Sequence, residues 1–226
     1  MTAFPFRTIA FDLDGTLLDT KADLVDAVNH TLGGIGREPL PLEMANELIG
    51  AGSRVMLERA LERTGGPAHE GFEALYQRFL ARYEAHIADE TRPYPGCLAA
   101  LDELAARGCA LAVATNKPEH LAVKLFAELG LTDRFASIIG GDTMGPGRGK
   151  PQPDMMHETV LRCGGDEALA MVGDSSFDVK AAHAAGKPCV IFSFGFHDAP
   201  PHTLGADAVV DHWDELVPAL ASLHRV

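Results

Sequence analysis

The chain has 226 residues, 46% of them hydrophobic, which is enough for one large core and a smaller second one. Its 32 Asp and Glu outnumber 19 Lys and Arg, and a net charge of −13 argues against nucleic-acid and anionic-membrane partners. The four cysteines form no C-x-x-C pair and no apolar run reaches the ~18 residues of a membrane span, which predicts reduced thiols and a cytoplasmic location.

The first predicted strand, TIAFD, leads into the stretch FDLDGTLLDT and ends in two acids. Side chains two residues apart point to the same side of a strand, so Asp12 and Asp14 lie together. Like charges this close repel each other, and burial makes each charge costlier still. A strand that served only a core would not carry this pair, so we treat it as a candidate site.

Residues 20–90 form only helical patterns, with glycine and proline at the joins. The helical stretches are ADLVDAVNHTLG, PLEMANELI, SRVMLERALERT and EGFEALYQRFLARYEAHIA. An insert directly after the first strand lies above the carboxyl ends of the sheet, where open α/β sheets bind ligands. We therefore predict a helical cap domain, 20–90, and a core domain formed by 1–19 and 91–226.

The stretch IGAGSRVML, 49–57, is the most informative part of the insert. Ser53 is a predicted helix N-cap, which puts Arg54 in the first turn, where a cation opposes the helix dipole. Arg54 either extends into solvent or, together with the exposed N–H groups, receives a substrate carboxylate. Both interpretations stay open at this point.

From about residue 94 onward, short apolar runs alternate with helical patterns. The runs are LAVAT, SIIG, LAMVGD, CVIFSFG and AVV, and the helices lie near 96–107, 118–129, 153–163, 177–185 and 213–224. Strands without polar alternation, separated by helices, indicate a parallel sheet covered on both faces. With TIAFD as its first strand, this pattern predicts a doubly wound, Rossmann-like α/β core.

Two segments of the core offer positive charge to an anionic ligand. Thr115, Asn116, Lys117 and Pro118 follow the strand LAVAT, with Asn116 as the predicted helix N-cap and Pro118 in the first turn. The free N–H groups of such a helix start are a natural phosphate seat. Lys150 lies in GGDTMGPGRGKPQPDM, a segment rich in glycine and proline, just before another predicted helix.

A second acidic position follows the strand LAMVGD, which ends in Asp174 and has Asp178 four residues later. If the strands are parallel neighbours, Asp174 and Asp12 occupy the same edge of the sheet. Carboxylates that converge in this way need a cation, and hard oxygen ligands suit Mg²⁺. A lone Gly-Asp at a strand end often makes only a helix cap or a turn, so the pairing with D-x-D-G-T favours the metal.

Four motifs follow one another along essentially the whole chain: D-x-D-G-T, a strand ending in Thr-Asn, a Gly-Lys-Pro segment and G-D-x-x-x-D. Together they resemble the haloacid dehalogenase-like hydrolase superfamily, and the helical insert resembles that superfamily's cap domain. Among its members the chain is most similar to phosphoglycolate phosphatases, through FDLDGTLLDT, IGAGSRVMLERAL, PYPG and GKPQPDM.

The resemblance implies a role for each motif residue. Asp12 would attack phosphorus to give an aspartyl-phosphate, Asp14 would act as general acid and then as general base, and Lys150 would neutralise developing charge. Superfamily dehalogenases lack an aspartate at the Asp14 position, so its presence favours phosphoryl transfer. The implied substrate-binding residues are Thr16, Arg54, Thr115 and Asn116. The implied Mg²⁺ ligands are Asp12, the Asp14 backbone carbonyl and Asp174, with Asp178 in support.

These expectations describe a Mg²⁺-dependent phosphomonoesterase for a small phosphorylated metabolite, with 2-phosphoglycolate as the first candidate substrate. A β-phosphoglucomutase-like phosphomutase and a sugar-phosphate phosphatase are the alternatives, and a non-catalytic binding module is disfavoured because all expected acids are present. The sequence leaves open a homodimer. It also leaves open whether Arg54 or the GFHDAPPH loop, with His197 and His202, reads the substrate; neither histidine has a partner at metal-ligand spacing.

Overall fold

The computed structural model describes residues 4–49 and 52–223, and a parallel sheet lies at its centre. In chain order the strands are β1 (Thr8–Phe11), β2 (Leu18–Asp19), β3 (Arg92–Pro93), β4 (Ala110–Ala114), β5 (Ser137–Ile139), β6 (Leu169–Gly173), β7 (Cys189–Phe192) and β8 (Ala208–Val210). Six of them form one sheet in the order β5-β4-β1-β6-β7-β8, and every neighbouring pair is parallel. The predicted doubly wound α/β core is confirmed.

The described residues form nine α-helices, the last five of which cover the two faces of this sheet. They are α1 (Lys21–Gly33), α2 (Ala45–Leu48), α3 (Ser53–Arg63), α4 (Phe72–Ala85), α5 (Cys97–Ala106), α6 (Glu119–Glu128), α7 (Asp154–Arg162), α8 (Ser176–Ala184) and α9 (Trp213–Ser222). Side chains of β1 alternate between the faces: Ile9 and Phe11 join the larger apolar cluster, whereas Ala10 packs with Met155 and Met156 of α7 in the other. Burial on both faces explains why the strands lack polar alternation.

The first four helices form the insert that follows β1 and β2. On α4, the rings of Phe72, Tyr76, Phe79 and Tyr83 stack in succession, with centroids 6.0, 6.3 and 6.1 Å apart. Residues three and four apart share one side of a helix, so this aromatic row gives α4 a continuous packing face. The row ends at Tyr83, which is buried close to the carboxyl ends of the strands.

The chain crosses between the core and the insert twice, and the two crossings pair with each other. β2 and β3 are antiparallel, with Leu18 opposite Pro93 and Asp19 opposite Arg92. Close by, the Asp23 carboxylate of α1 accepts hydrogen bonds from the backbone N–H groups of 90 and 91 and from a threonine hydroxyl, at 2.7–3.2 Å. These two-residue strands were not predicted, and the boundaries of the cap at 20 and 90 stay a prediction.

Two predicted helix N-caps are wrong. Helix α3 begins at Ser53 after Gly52, whose φ of 91° sets the turn, and the Ser53 hydroxyl pairs with that of Tyr76 at 2.9 Å instead of capping. Helix α6 begins at Glu119, later than predicted, so the Asn116 side chain is free to donate to the Lys150 carbonyl at 3.0 Å. Residues 50 and 51 of the IGAGSRVML stretch lie outside the described part of the chain.

Candidate active site

The strand register brings the predicted acids to one edge of the sheet. Phe11 of β1 lies opposite Val113 of β4 and Val172 of β6, so the residues that follow these strands emerge side by side. Asp12 continues the pairing of β1 with β6 by one hydrogen bond, which its N–H donates to the Val172 carbonyl at 2.9 Å. The turn then depends on Gly15, where φ is 83° and a Cβ would lie 2.5 Å from an Asp174 carboxylate oxygen.

Three carboxylates converge at this edge, as predicted. One oxygen each of Asp12, Asp174 and Asp178 lies within 4.8 Å of the others. Burial raises the pKa of Asp12 to about 6, with Lys150 opposing the shift and Asp178 adding to it. Burial and the neighbouring acids also raise the pKa of Asp174 well above its ordinary value. Burial and the neighbouring acids therefore both disfavour the ionised form of these carboxylates.

The donors of this cluster fit a hard divalent cation. Asp12 Oδ1 is buried and accepts no hydrogen bond of normal geometry, although Lys150 Nζ lies 2.9 Å away. Asp174 is oriented by the Thr16 hydroxyl at 2.8 Å and by the Phe196 N–H. An unsatisfied carboxylate oxygen beside other carboxylates is what an oxygen-coordinated ion such as Mg²⁺ requires.

Lys150 is buried in the cluster and does not extend into solvent. Its Nζ lies 2.9 Å from Asp12 Oδ1 and 2.6 Å from Asp178 Oδ1. Burial works against this charge, but the two acids more than compensate and raise the pKa of the lysine. The loop that carries it is held by the Asn116 side chain. The structure therefore brings Lys150 to Asp12, as the sequence predicted.

Asp178 is fully buried, and both of its carboxylate oxygens already accept hydrogen bonds from neighbouring groups. Its Oδ2 accepts the N–H groups of Asp174 and Ser175 at 3.2 and 3.0 Å and the Ser175 hydroxyl at 2.7 Å, while Oδ1 takes Lys150. With Ser175 it forms the capping box of α8. These bonds hold the Asp174 loop in place, and a direct metal contact from Asp178 stays a prediction.

Asp14 lies at the same cavity but has different partners. Lys117 Nζ is 2.8 and 2.9 Å from its two carboxylate oxygens, and the Thr20 hydroxyl donates to it at 2.7 Å. Only 4% of the Lys117 side chain is exposed. Burial disfavours this ammonium, but Asp14 and Tyr83 raise its pKa overall. Lys117 was not predicted as a site residue, although it lies between Asn116 and Pro118 in the predicted phosphate-binding segment.

The predicted substrate-binding residues lie in different places. Thr115 and Asn116 line a small inner cavity together with Asp12, Asp14 and Asp174. Thr16 is buried, and its hydroxyl is directed at Asp174. Its predicted contact with substrate stays a prediction.

Arg54 lines a second, outer cavity of about 510 Å³ that also reaches Lys150. Its guanidinium pairs with Glu73 at 2.7 Å and lies over the rings of Phe72 and Tyr76, 5.1 and 4.5 Å from their centres. Half of the Arg54 side chain is exposed. In this arrangement its charge already has an anionic partner, and its role toward substrate stays a prediction.

The two loop histidines differ. His197 Nδ1 lies 2.7 Å from the Asp174 carbonyl oxygen, and since that oxygen can only accept, Nδ1 carries the hydrogen. His202 is exposed in the short helical turn Pro201–Thr203. The GFHDAPPH loop thus touches the site through its first histidine and supports the Asp174 backbone.

The carboxyl edge of this doubly wound sheet carries two carboxylates two residues apart, a buried lysine and an acidic cluster. This arrangement is typical of a hydrolase that acts on phosphate esters. A family model described as haloacid dehalogenase-like hydrolase matches residues 6–186. The chain belongs to this family. Within the described residues, no helix combines the length and apolar character needed to cross a membrane.

The names of similar proteins agree with this family assignment. The chain is 44% identical over 226 residues to a phosphoglycolate phosphatase of Agrobacterium fabrum, covering 97% of this chain and 95% of the relative. It is 41% identical to a phosphoglycolate phosphatase of Caulobacter vibrioides, covering 96% and 91%. A solved structure described as a predicted phosphoglycolate phosphatase from Haemophilus somnus superposes with a TM-score of 0.87 at 27% identity, covering 94% of this chain and 97% of that one.

Proposed function

We propose that this phosphatase of small phosphorylated substrates hydrolyses 2-phosphoglycolate through an aspartyl-phosphate intermediate on Asp12. The observation that supports this mechanism most directly is that Asp12 and Asp14 line one cavity while Lys150 forms an ion pair with Asp12. The names of the relatives support the substrate, because two of them that match over nearly their whole length are phosphoglycolate phosphatases.

The chemistry follows from the positions of three side chains. A carboxylate oxygen of Asp12 attacks phosphorus, and the bond from phosphorus to the glycolate oxygen breaks as Asp14 gives that oxygen a proton. Asp14 then takes a proton from a water molecule that attacks the aspartyl-phosphate, which releases phosphate and restores Asp12. Lys150 stabilises the negative charge that builds on the transferring group.

The proposal includes a Mg²⁺ site made by Asp12, the Asp14 backbone carbonyl and Asp174, with Asp178 in support. When bound, the ion supplies positive charge that polarises the phosphoryl oxygens and fixes their orientation. Thr115 and the Asn116 backbone bind the same phosphoryl group from the carboxyl end of the neighbouring strand β4.

A sugar-phosphate phosphatase is the second candidate. A mutant CbbY structure from Rhodobacter sphaeroides in complex with xylulose 1,5-bisphosphate superposes on this chain with a TM-score of 0.78 at 26% identity, covering 95% of this chain and 99% of that one. The outer cavity, about 510 Å³, would hold a larger leaving group than glycolate. A phosphomutase is separated from both by its products, because it must keep water from its aspartyl-phosphate.

The test is release of inorganic phosphate, with Mg²⁺ present, from 2-phosphoglycolate, xylulose 1,5-bisphosphate, glucose 6-phosphate and 2-hydroxyethyl phosphate. We expect the highest kcat/KM for 2-phosphoglycolate and no turnover by Asp12→Asn, whose amide cannot form an acyl-phosphate. The matched control is Asp102→Asn, because that carboxylate is 66% exposed on α5, and it should keep full activity. If a sugar phosphate is preferred, it becomes the proposed substrate in place of 2-phosphoglycolate. An active Asp12→Asn variant would exclude the covalent mechanism.

The cellular setting is part of the proposal. All four cysteines, Cys97, Cys109, Cys163 and Cys189, are free thiols, which suits the reducing cytoplasm.

A further inference from the structure

Lys117 and Tyr83 contribute polar groups to the inner cavity that the proposed mechanism does not use. Lys117 Nζ lies 2.8 and 2.9 Å from the two oxygens of Asp14. An ammonium group carries three hydrogens, so these two contacts leave one donor, and the nearby Tyr83 hydroxyl helps Asp14 to raise the pKa of Lys117. This donor lies beside the acid that serves the leaving group.

Tyr83 reaches the same place from the cap helix α4. Its side chain is buried, and its hydroxyl has no hydrogen-bond partner of normal geometry among the described residues. The Lys117 ammonium lies 4.7 Å from the centre of its ring. Burial raises the pKa of Tyr83 to about 12, so the hydroxyl keeps its hydrogen at neutral pH. Buried polar groups nearly always have partners, and an unpartnered hydroxyl in a cavity wall is a place for a ligand.

We propose that Lys117 Nζ and the Tyr83 hydroxyl together bind the carboxylate of a short phosphorylated acid. The inference rests on the proposed function and identifies the part of the site that reads the acid. In 2-phosphoglycolate the carboxylate carbon is two bonds from the oxygen that leaves phosphorus. Because Asp14 serves that oxygen and Lys117 contacts Asp14, the carboxylate falls within reach of Lys117 and not of a distant cation.

The other cap side chains that line the described part of the inner cavity are not available to bind the substrate carboxylate. Leu24, Ile49 and Met56 are apolar, and the Ser53 hydroxyl already pairs with Tyr76. Arg54, the cation that the sequence suggested, lines the outer cavity and pairs with Glu73. A carboxylate bound by Lys117 and Tyr83 would also join core and cap, since the two residues come from β4–α6 and from α4.

The test compares 2-phosphoglycolate with 2-hydroxyethyl phosphate, which has the same length and an alkoxide leaving group but no carboxylate. Tyr83→Phe removes only the hydroxyl oxygen, and Lys117→Met removes the charge but keeps much of the side-chain volume. We expect each variant to lower the ratio of kcat/KM for the acid to that for the alcohol by about 10- to 100-fold, the effect of one hydrogen bond to a charged group. Lys124→Met, on the exposed side of α6, is the matched control and should keep the ratio.

Inhibition gives a readout that does not depend on turnover of the acid. With 2-hydroxyethyl phosphate as substrate, glycolate should inhibit Tyr83→Phe and Lys117→Met more weakly than the unmutated enzyme, whereas inorganic phosphate should inhibit Tyr83→Phe equally. An unchanged substrate ratio in Tyr83→Phe, or a ratio lowered only by Arg54→Met, would overturn the inference. If the unmutated enzyme hydrolyses other esters but not 2-phosphoglycolate, the proposed function fails instead, and the two failures are distinguishable.

Discussion

A buried carboxylate that faces other carboxylates lowers the stability of the folded chain whenever it is ionised. Asp12 illustrates this, because its pKa is raised to about 6 from an ordinary 3.8 and only 14% of its side chain is exposed. The folded state therefore holds this proton more tightly than the unfolded state does. Stability from this group is present below about pH 4 and is lost as the pH rises toward 6.

Asp12→Asn should consequently stabilise the metal-free protein more at pH 7.5 than at pH 4.5. The shift corresponds to a difference of about 1–3 kcal/mol between the two pH values, because an amide does not titrate. Urea unfolding in EDTA at both pH values measures it, with Asp102→Asn as the exposed control. An equal effect of Asp12→Asn at both pH values would show that the carboxylate is not strained in the folded state.

The sequence predicted the position of a site residue correctly where that residue directly follows a strand. Asp12 and Asp174 follow paired strands, so the register alone brought them together. Lys117 and Tyr83 were not predicted. The direction of Lys117 depends on where α6 begins, and an aromatic residue at helical spacing is indistinguishable from core packing in a sequence.

At the scale of elements, the connection between core and cap depends on α1 as much as on the two short strands. The Asp23 carboxylate accepts four hydrogen-bond contacts from residues 90 and 91 and is 4% exposed. It ties the start of the insert to its end. Removing part of this acceptor leaves backbone N–H groups buried without a partner, which is costly.

Asp23→Asn should lower the free energy of unfolding by about 1–3 kcal/mol, because hydrogen bonds to a charged acceptor are lost or weakened. Asp26→Asn is the matched control: it lies on the same helix, is half exposed, and pairs with Arg82 at 2.9 Å. Exposed pairs of this kind contribute at most about 1 kcal/mol. Thermal or urea unfolding of both variants measures this difference in the free energy of unfolding. Equal destabilisation would contradict the proposed link between Asp23 and residues 90 and 91.

Helices of ten residues or more were predicted to within three residues at each end, whereas the elements at the crossings were not predicted. A two-residue strand such as β2 or β3 has too few residues to show a period of two. Its formation depends on the tertiary contact between the crossings and not on local propensity. The same holds for Gly52, whose positive φ moves the helix start that Ser53 was expected to cap.

On the scale of the whole molecule, a net charge of −13 surrounds a site that must attract an anion. Two of the buried cations, Lys117 and Lys150, lie within this site, and each is neutralised by acids. The remaining negative charge at Asp12, Asp174 and Asp178 is what a divalent ion would balance. Metal binding should therefore change the stability of the entire fold as well as the chemistry.

Mg²⁺ added to chelated protein should raise Tm in a concentration-dependent way, since a ligand that binds only the folded state stabilises it by mass action. At 100 times its Kd the ion contributes about 2.7 kcal/mol, which corresponds to a rise of roughly 5–10 °C for a chain of this size. Activity should vanish in EDTA and return with Mg²⁺. Asp174→Ala should lose both responses, while K⁺ at equal ionic strength should produce neither. Full activity in excess chelator, or an undiminished rise in Tm for Asp174→Ala, would mean that the acidic cluster does not hold the ion.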